Sequence, residues 1–273
     1  MKTLFSARQL ADFCQASDRE IAFVPTMGAL HEGHLELLRQ AQSSGALTIV
    51  SVFVNPLQFN NPEDLDKYPR TLERDSELLT QVGADVLFVP SVGEMYPEAP
   101  APSGVDLGGL DTRWEGSFRP GHFEGVLQVL DRLFHIVSPK RVYFGQKDLQ
   151  QCMVVRKLIE QKFSGIEMVT VPTVRAESGL ALSSRNARLS PDGLLRAAEI
   201  HRQLKRVSQA LAWDLALQDA EESLFNHGIE TEYLAVVELT DMLSCPKAQT
   251  GHECAVVFSG YLEVVRLIDN LCF

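Results

Sequence analysis

Ile21-Ala-Phe-Val-Pro-Thr-Met-Gly-Ala-Leu-His-Glu-Gly-His34 is the stretch that decides the fold. Residues 21–24 are a short apolar run, residues 25–34 a turn with two glycines, and helical periodicity follows from Leu35. A strand ending in such a turn at a helix N-terminus aims backbone N–H groups, and about half a positive charge, at whatever occupies the turn. That arrangement suits phosphate. Gly28 and Gly33 are expected to let a ligand approach the backbone. His31 and His34 are three apart, which on a helix puts their Cβ atoms about 5–6 Å from each other, within reach of the same phosphate oxygens. A helix N-terminus disfavours imidazolium, so largely neutral rings are expected, donating N–H bonds to oxygens that gain charge in a transition state. Two other readings stand beside this one. The first takes the histidines as metal ligands, although the pattern is H-E-x-H and not the H-E-x-x-H of zincins, and no third ligand is evident. The second has them merely cap the turn.

Outward from this stretch, short β-branched and aromatic runs alternate with longer segments of helical period, the pattern of β/α units. Strands are expected at 21–24, 48–54, 85–89, 141–144 and 167–171, and helices at 6–15, 35–43, 72–82, 126–137, 150–162 and 193–211. The fold class is therefore α/β: a Rossmann-like parallel sheet with helices on both faces. After about residue 190 the texture changes to helices near 194–211 and 215–226, then apolar runs at 233–239, 254–259 and 264–268. These suggest a small C-terminal α+β domain with a short antiparallel sheet. The division is drawn as 1–186 and 187–273. Residues 91–125, rich in Pro and Gly and poor in periodicity, read as an active-site lid, a dimer contact or an exposed loop.

With 273 residues the chain can bury a sizeable core, and its formal net charge of −11 repels nucleic acid and anionic lipid. Anions can bind such a protein only where positive potential is gathered locally. Five scattered cysteines without a C-x-x-C pair fit a reducing compartment. The start lacks a signal-peptide core, and no apolar run approaches the roughly 20 residues of a membrane span. A cytoplasmic protein with no nucleic acid or membrane partner is expected.

Three further loops follow strands. Asn55-Pro-Leu-Gln58 offers uncharged amides that can orient hydroxyls or a carboxylate, though alone it reads as a turn. Gly145-Gln-Lys-Asp148, with Gln150 and Gln151 at the next helix start, supplies a mobile point charge on Lys147. Leu182-Ser-Ser-Arg185 combines hydroxyls with a guanidinium suited to polyphosphate, and reads otherwise as a domain hinge. Ligands of open parallel sheets bind at the carboxyl ends of the strands, so these loops are expected to converge on one polyphosphate crevice. Neither G-x-G-x-x-G nor G-x-x-x-x-G-K-[ST] stands at a strand end, which leaves the dinucleotide and P-loop readings without their fingerprints.

The ordered set PTMGALHEGH, FVNPLQF, YPRT, EGSFRPGHFEGV, FGQKDLQQ, LALSSRN and the closing RLIDN resembles the pantothenate synthetase (pantoate:beta-alanine ligase) family of the nucleotidyltransferase superfamily. The resemblance runs nearly the whole chain, from Phe23 to Asn270. It implies an ATP-dependent ligation of (R)-pantoate and beta-alanine through a pantoyl adenylate, with Mg2+ arriving on ATP, no dedicated protein metal site and no tightly bound organic cofactor. It also implies a homodimer. By the resemblance, ATP contacts fall on Thr26, Met27, Gly28, Ala29, Leu30, His31, Glu32, Gly33, His34, Gly145, Gln146, Lys147, Asp148, Val174, Leu182, Ser183, Ser184 and Arg185. Gln58 and Gln151 hold pantoate, Gln58 also meets beta-alanine, and Asn55 supports the site. His34, His31, Lys147 and Arg185 form the catalytic set, with His34 the family's proton donor; stabilisation of charge is its expected main task, since a carboxylate nucleophile is already ionised. Asp75 reads as an indirect partner of Mg2+, beside the plainer reading of a solvated helix carboxylate. Where the family often has Glu before the lysine, this chain has Gln146. An adenylate is destroyed by water, so a closing cover is expected, hinged just past Arg185. The rival readings are another nucleotidyl transferase, a regulatory protein with a decayed nucleotide site, and a fragment of a tRNA synthetase.

Overall fold

The computed structural model describes residues 1–60, 62–245 and 253–273. The chain forms two compact units, one of residues 1–112, 116–145 and 151–171, the other of residues 113–115, 146–150 and 172–273.

The first unit is built on six strands: β1 Lys2–Leu4, β2 Ile21–Thr26, β3 Leu47–Val52, β4 Val86–Phe88, β5 Arg141–Gly145 and β6 Glu167–Val171. They lie in the order β1-β4-β3-β2-β5-β6, and every pairing is parallel. Parallel neighbours need crossover connections, and the helices that supply them cover the sheet, so its central strands read as continuous apolar runs. Ala22, Val24, Val50, Leu87 and Tyr143 pack on one face with Leu38 of the helix Glu32–Ser43 and Leu79 of the helix Leu72–Val82. The alternate residues Phe23, Ile49, Phe88 and Val142 are equally buried on the other face. From β2 the chain builds β3 and β4 to one side, then returns to build β5 and β6 on the other. Strands β2 and β5 are therefore neighbours at the point where the order reverses, and their carboxyl ends flank the place where such sheets take ligands.

The Rossmann-like reading holds, and the five expected strands are all present. Strand β1 was not expected, because three residues at a sheet edge show no periodicity. The helix after β2 begins at Glu32, three residues before the expected Leu35, which changes the part played by the two histidines. Within residues 91–125 stand the single turns Val92–Met95, Leu110–Thr112 and Glu115–Phe118, each too short to show a period.

The second unit carries an antiparallel sheet of β7 Ile229–Glu238, β8 Cys254–Leu262 and β9 Val265–Cys272, with β8 central. The helices Pro191–Ser208 and Trp213–Asn226 pack on it, bringing Ala197, Ile200, Leu204 and Leu224 against Val256, Phe258 and Val265. The small α+β texture expected of the C-terminal part is what the chain forms. Residues 172–186 are grouped with this unit, where Leu180 enters its core. Arg266 of β9 is held between two carboxylates: its Nη1 donates to Glu115 at 3.0 Å and its Nε to Glu232 at 2.7 Å. Tyr233 donates to Glu115 and Ser259 to Glu232, which extends the network. Burial pushes the Tyr233 phenol well above its usual range, so it stays a donor.

Taking away the guanidinium leaves two desolvated carboxylates facing each other. Arg266→Met is therefore expected to destabilise the protein by about 3–5 kcal/mol, read as a shift of the urea unfolding midpoint; a change under about 1 kcal/mol would show the network to be solvated.

Candidate active site

In the first unit the loop after β2 is shaped by a sequence of backbone demands. Thr26 Oγ1 donates to Ser51 O at 2.7 Å and accepts from Gly28 N at 3.1 Å, which starts the turn. Gly28 (φ 84°) and Ala29 (φ 50°) then take the left-handed conformation one after the other. For Ala29 this is strained backbone, tolerated only where neighbours fix it. The fixing group is Asp75, 1% exposed, whose two carboxylate oxygens accept from Ala29 N at 2.9 Å and Leu30 N at 2.8 Å, with Thr71 Oγ1 donating as a third partner. A carboxylate on the helix Leu72–Val82 is thus no solvated surface group, as its residue type suggested, but a buried clamp on the loop.

The glycines also serve the loop itself. A Cβ on Gly28 would meet Val52 and Asp75 at about 3 Å, and one on Gly33 would meet the His31 ring at 2.9 Å. The space beside Gly33, expected to admit a ligand, is filled by His31. That ring caps the helix: its Nδ1 accepts from Gly33 N at 3.1 Å, while His34 Nδ1 accepts from His31 N at 3.3 Å. This is the reciprocal geometry of a Ser-x-x-Glu capping box, made by two imidazoles. Their centroids lie 4.1 Å apart. Because each Nδ1 accepts a backbone hydrogen, each neutral ring carries its proton on Nε2. Capping and phosphate binding, separate readings of the sequence, are thereby compatible, since the cap uses one ring nitrogen and fixes the other as a donor. The Glu32 carboxylate pairs with Arg39 at 2.5 Å.

A second set of contacts holds the turn after β3. Asn55, 1% exposed, uses all of its hydrogen-bonding capacity: Nδ2 donates to Gly125 O at 2.9 Å and Gln58 Oε1 at 3.2 Å, while Oδ1 accepts from Leu57 N and from the Tyr96 hydroxyl at 2.9 Å. Burial pushes the Tyr96 phenol up, which keeps it a donor. The Gln58 carbonyl accepts from His122 Nδ1 at 2.8 Å, and Arg119 Nη1 faces His122 Nε2 at 3.0 Å. His122 is then the Nδ1–H tautomer, the opposite of His31 and His34. Gln58 Nε2 donates to the sulfur of Met27 at 3.1 Å, a weak acceptor. Gln151 is half-buried in the first turn of the helix Leu149–Lys162, which follows β5.

In the second unit, Gln146–Asp148 form a single 3-10 turn, with Lys147 Nζ 3.5 Å from Asp148 Oδ1. Residues 174–182 form a narrow hairpin in which Leu182 N donates to Val174 O and Ala176 N to Leu180 O. Beyond it Ser183 caps the turn Ser184–Arg188 by accepting from Arg185 N at 3.2 Å. Lys147, Ser183, Arg185 and Asn186 line one pocket together with Asp269. The expected residues therefore form two clusters, one in each unit. The first holds Thr26 to His34, Asn55, Gln58 and Asp75, with Gly145 and Gln151 in the same unit; the second holds Gln146 to Asp148, Val174 and Leu182 to Arg185. Among the described residues no group of three His, Cys, Asp or Glu side chains is set to hold a metal ion.

The family model for pantoate-beta-alanine ligase matches residues 1–272. The chain belongs to that family. Its relatives include the pantothenate synthetase of Cytophaga hutchinsonii, 44% identical over 93% of this chain and 92% of the relative. That of Thermus thermophilus is 45% identical over 96% of each. A crystal structure of a Thermus thermophilus pantothenate synthetase superposes with a TM-score of 0.90 at 42% identity, covering 99% of both chains. The pantoate-beta-alanine ligase of Francisella tularensis, in a structure described as complexed with beta-gamma ATP and beta-alanine, does so with a TM-score of 0.85 at 34% identity, covering 99% and 97%. A pantoate-beta-alanine ligase is an enzyme that joins a carboxylate to an amine, and that is the class of this chain. No described helix is long and apolar enough to cross a membrane.

Three residues were not expected from the sequence, His122, Arg119 and Tyr96 around Asn55 and Gln58, and neither were the contacts that Asp75 makes. The segment Glu115 to Val126 did carry a signal, since it packs Arg119, His122 and Gly125 into one short motif. Gly125 explains its own presence. A Cβ there would stand 2.4 Å from the carbonyl of Leu57. Gly125→Ala is expected to push the 55–58 turn away, costing about 1–3 kcal/mol in thermal unfolding. An unchanged melting temperature would mean that this turn is loosely held.

Two spectroscopic signatures follow from the caps. Long-range 1H–15N correlation spectra at neutral pH are expected to show His31 and His34 as Nε2–H tautomers and His122 as the Nδ1–H tautomer. The reverse pattern at either member of the pair would contradict the cap geometry.

Proposed function

We propose that the chain condenses (R)-pantoate with beta-alanine in two steps, with ATP supplying the activation, and so makes pantothenate for coenzyme A synthesis. In the first step a pantoate carboxylate oxygen attacks the α-phosphorus of Mg–ATP. The new P–O bond forms as the bond to the β-phosphate breaks, and pyrophosphate leaves. In the second, the beta-alanine amine attacks the acyl carbon of pantoyl adenylate, the C–O bond to AMP breaks, and the amine gives up a proton. The complex of the Francisella tularensis relative with beta-gamma ATP and beta-alanine supports ATP and beta-alanine as substrates.

The observation that carries this reading is the pair of capped imidazoles at a helix N-terminus, each fixed as an Nε2–H donor. Adenylation needs no covalent enzyme nucleophile. It needs an oxygen held in line and donors already aimed at oxygens that gain charge. His31 and His34 supply such donors with the helix dipole behind them. Lys147 and Arg185 supply full positive charges for the polyphosphate, and Mg2+ enters as part of the nucleotide substrate. Gln58 and Gln151 are assigned to pantoate, Gln58 also to beta-alanine. The Gln58 bond to a thioether is weak, so a substrate carboxylate or hydroxyl is a better acceptor and displaces it at small cost. The enzyme is read as a cytoplasmic homodimer.

AMP release measured with ATP, Mg2+, pantoate and beta-alanine, each omitted in turn, tests the assignment: release is expected to require both organic substrates, and release without beta-alanine would overturn the ligation. His34→Ala and Lys147→Ala are each expected to lower pantoate-dependent ATP–pyrophosphate exchange by about 10²–10³-fold with the unfolding transition intact. Near-normal exchange in folded His34→Ala would remove that ring from catalysis.

A further inference from the structure

The closing RLIDN motif has no task in the proposed reaction, yet its last two residues lie among the groups that hold the second cluster. Asp269 and Asn270 are adjacent in β9, paired across β8 to Phe258 and Val257. Both are buried, 4% and 3% exposed. Asp269 forms a two-point pair with Arg175, Oδ2 to Nη1 at 2.6 Å and Oδ1 to Nη2 at 2.9 Å. Arg175 also donates to Gly179 O and Asn270 O, so the hairpin that carries Val174 and Leu182 is tied to β9.

Asn270 grips the other loop. Its Nδ2 donates one hydrogen to Gln146 O and the other to Lys147 O, both at 2.9 Å. The reversed amide would set Oδ1 against two carbonyl oxygens, so the orientation is fixed. Gln146 Nε2 donates to Cys272 Sγ at 3.1 Å, a second tie between this turn and β9. The 3-10 turn has only three residues and holds itself poorly. Its rotation, and with it the origin of the Lys147 side chain, is set from outside.

We propose that Asn270 is a positioning residue for Lys147: by clamping the carbonyls on either side of the Lys147 amide, it places the ammonium where adenylation uses it. The inference rests on the assignment of Lys147 to the polyphosphate. A displacement of about 1 Å can cost on the order of 10²-fold in rate, so the clamp matters to catalysis more than to folding.

A double-mutant cycle tests it, with pantoate-dependent ATP–pyrophosphate exchange as the readout and thermal unfolding as the control. Asn270→Ala is expected to lower the exchange kcat by about 10–100-fold, and Asn270→Asp by more, because it keeps the volume but turns acceptors toward two carbonyls. A packing role would give the opposite order. In the Lys147→Ala background the further loss from Asn270→Ala should shrink to less than about 2-fold, as for residues that act as one unit. Full additivity overturns the inference and leaves the role of Lys147 standing; near-wild-type exchange in Lys147→Ala alone removes that role and the inference with it. Asn270→Ser keeps one donor and serves if the alanine variant does not fold. Failure of both to fold cooperatively assigns Asn270 to the fold alone and overturns the proposal.

Discussion

The carboxylate of Asp75 accepts the amide hydrogens of Ala29 and Leu30, and the geometry of the histidine loop depends on that interaction. Two residues in left-handed backbone cannot persist on local preference when one of them is alanine. A buried carboxylate receiving two backbone N–H groups makes strong charge-assisted bonds, and leaving those amides without a partner would cost about 1–3 kcal/mol each. Once the turn is fixed there, the chain enters the helix at Glu32, His31 falls on the cap and His34 on the third helical position. The tautomers of both rings follow from that placement.

The second unit repeats the same logic with different groups. Lys147 sits in a turn too short to define itself, and its carbonyl and that of Gln146 are held by one buried amide from β9. The hairpin of Val174 and Leu182 is held by a guanidinium that is itself paired with the preceding residue of the same strand. In both units the groups suited to phosphate lie on turns, and the groups that fix the turns come from distant elements whose side chains are buried. Each turn is thus held by a buried polar side chain that bonds its backbone: Asp75 through both carboxylate oxygens, Asn270 through both hydrogens of Nδ2.

The polar residues around Asn55 show how far this extends. An amide whose donors and acceptors are all occupied, as in Asn55, has no capacity left for a ligand, and what it does is hold Gln58 and Gly125 in place. Gln58, by contrast, has its amide nitrogen on a sulfur. The two amides of one short turn therefore differ, Asn55 pinning it through four bonds and Gln58 holding a weak acceptor.

The parallel sheet, the position of its main strands and the strand-to-helix turn after β2 were legible in the sequence, because buried parallel strands and amphipathic helices impose runs and periods that survive without neighbours; the order of the strands was not, since it rests on pairings between distant segments. The pairing of His31 with His34 was legible too, since three-residue spacing on a helix is local. The start of that helix was not, because an imidazole cap lacks the signature of a Ser, Thr or Asp. Nor could the sequence show that Asp75 faces inward, that His122 carries its proton on the opposite nitrogen, or that Asn270 reaches the Lys147 turn more than 120 residues earlier. Local chemistry and periodicity determined which groups the chain offers. Which of their atoms are committed to support was decided by tertiary structure, because hydrogen bonds between distant segments leave no periodic trace in either one.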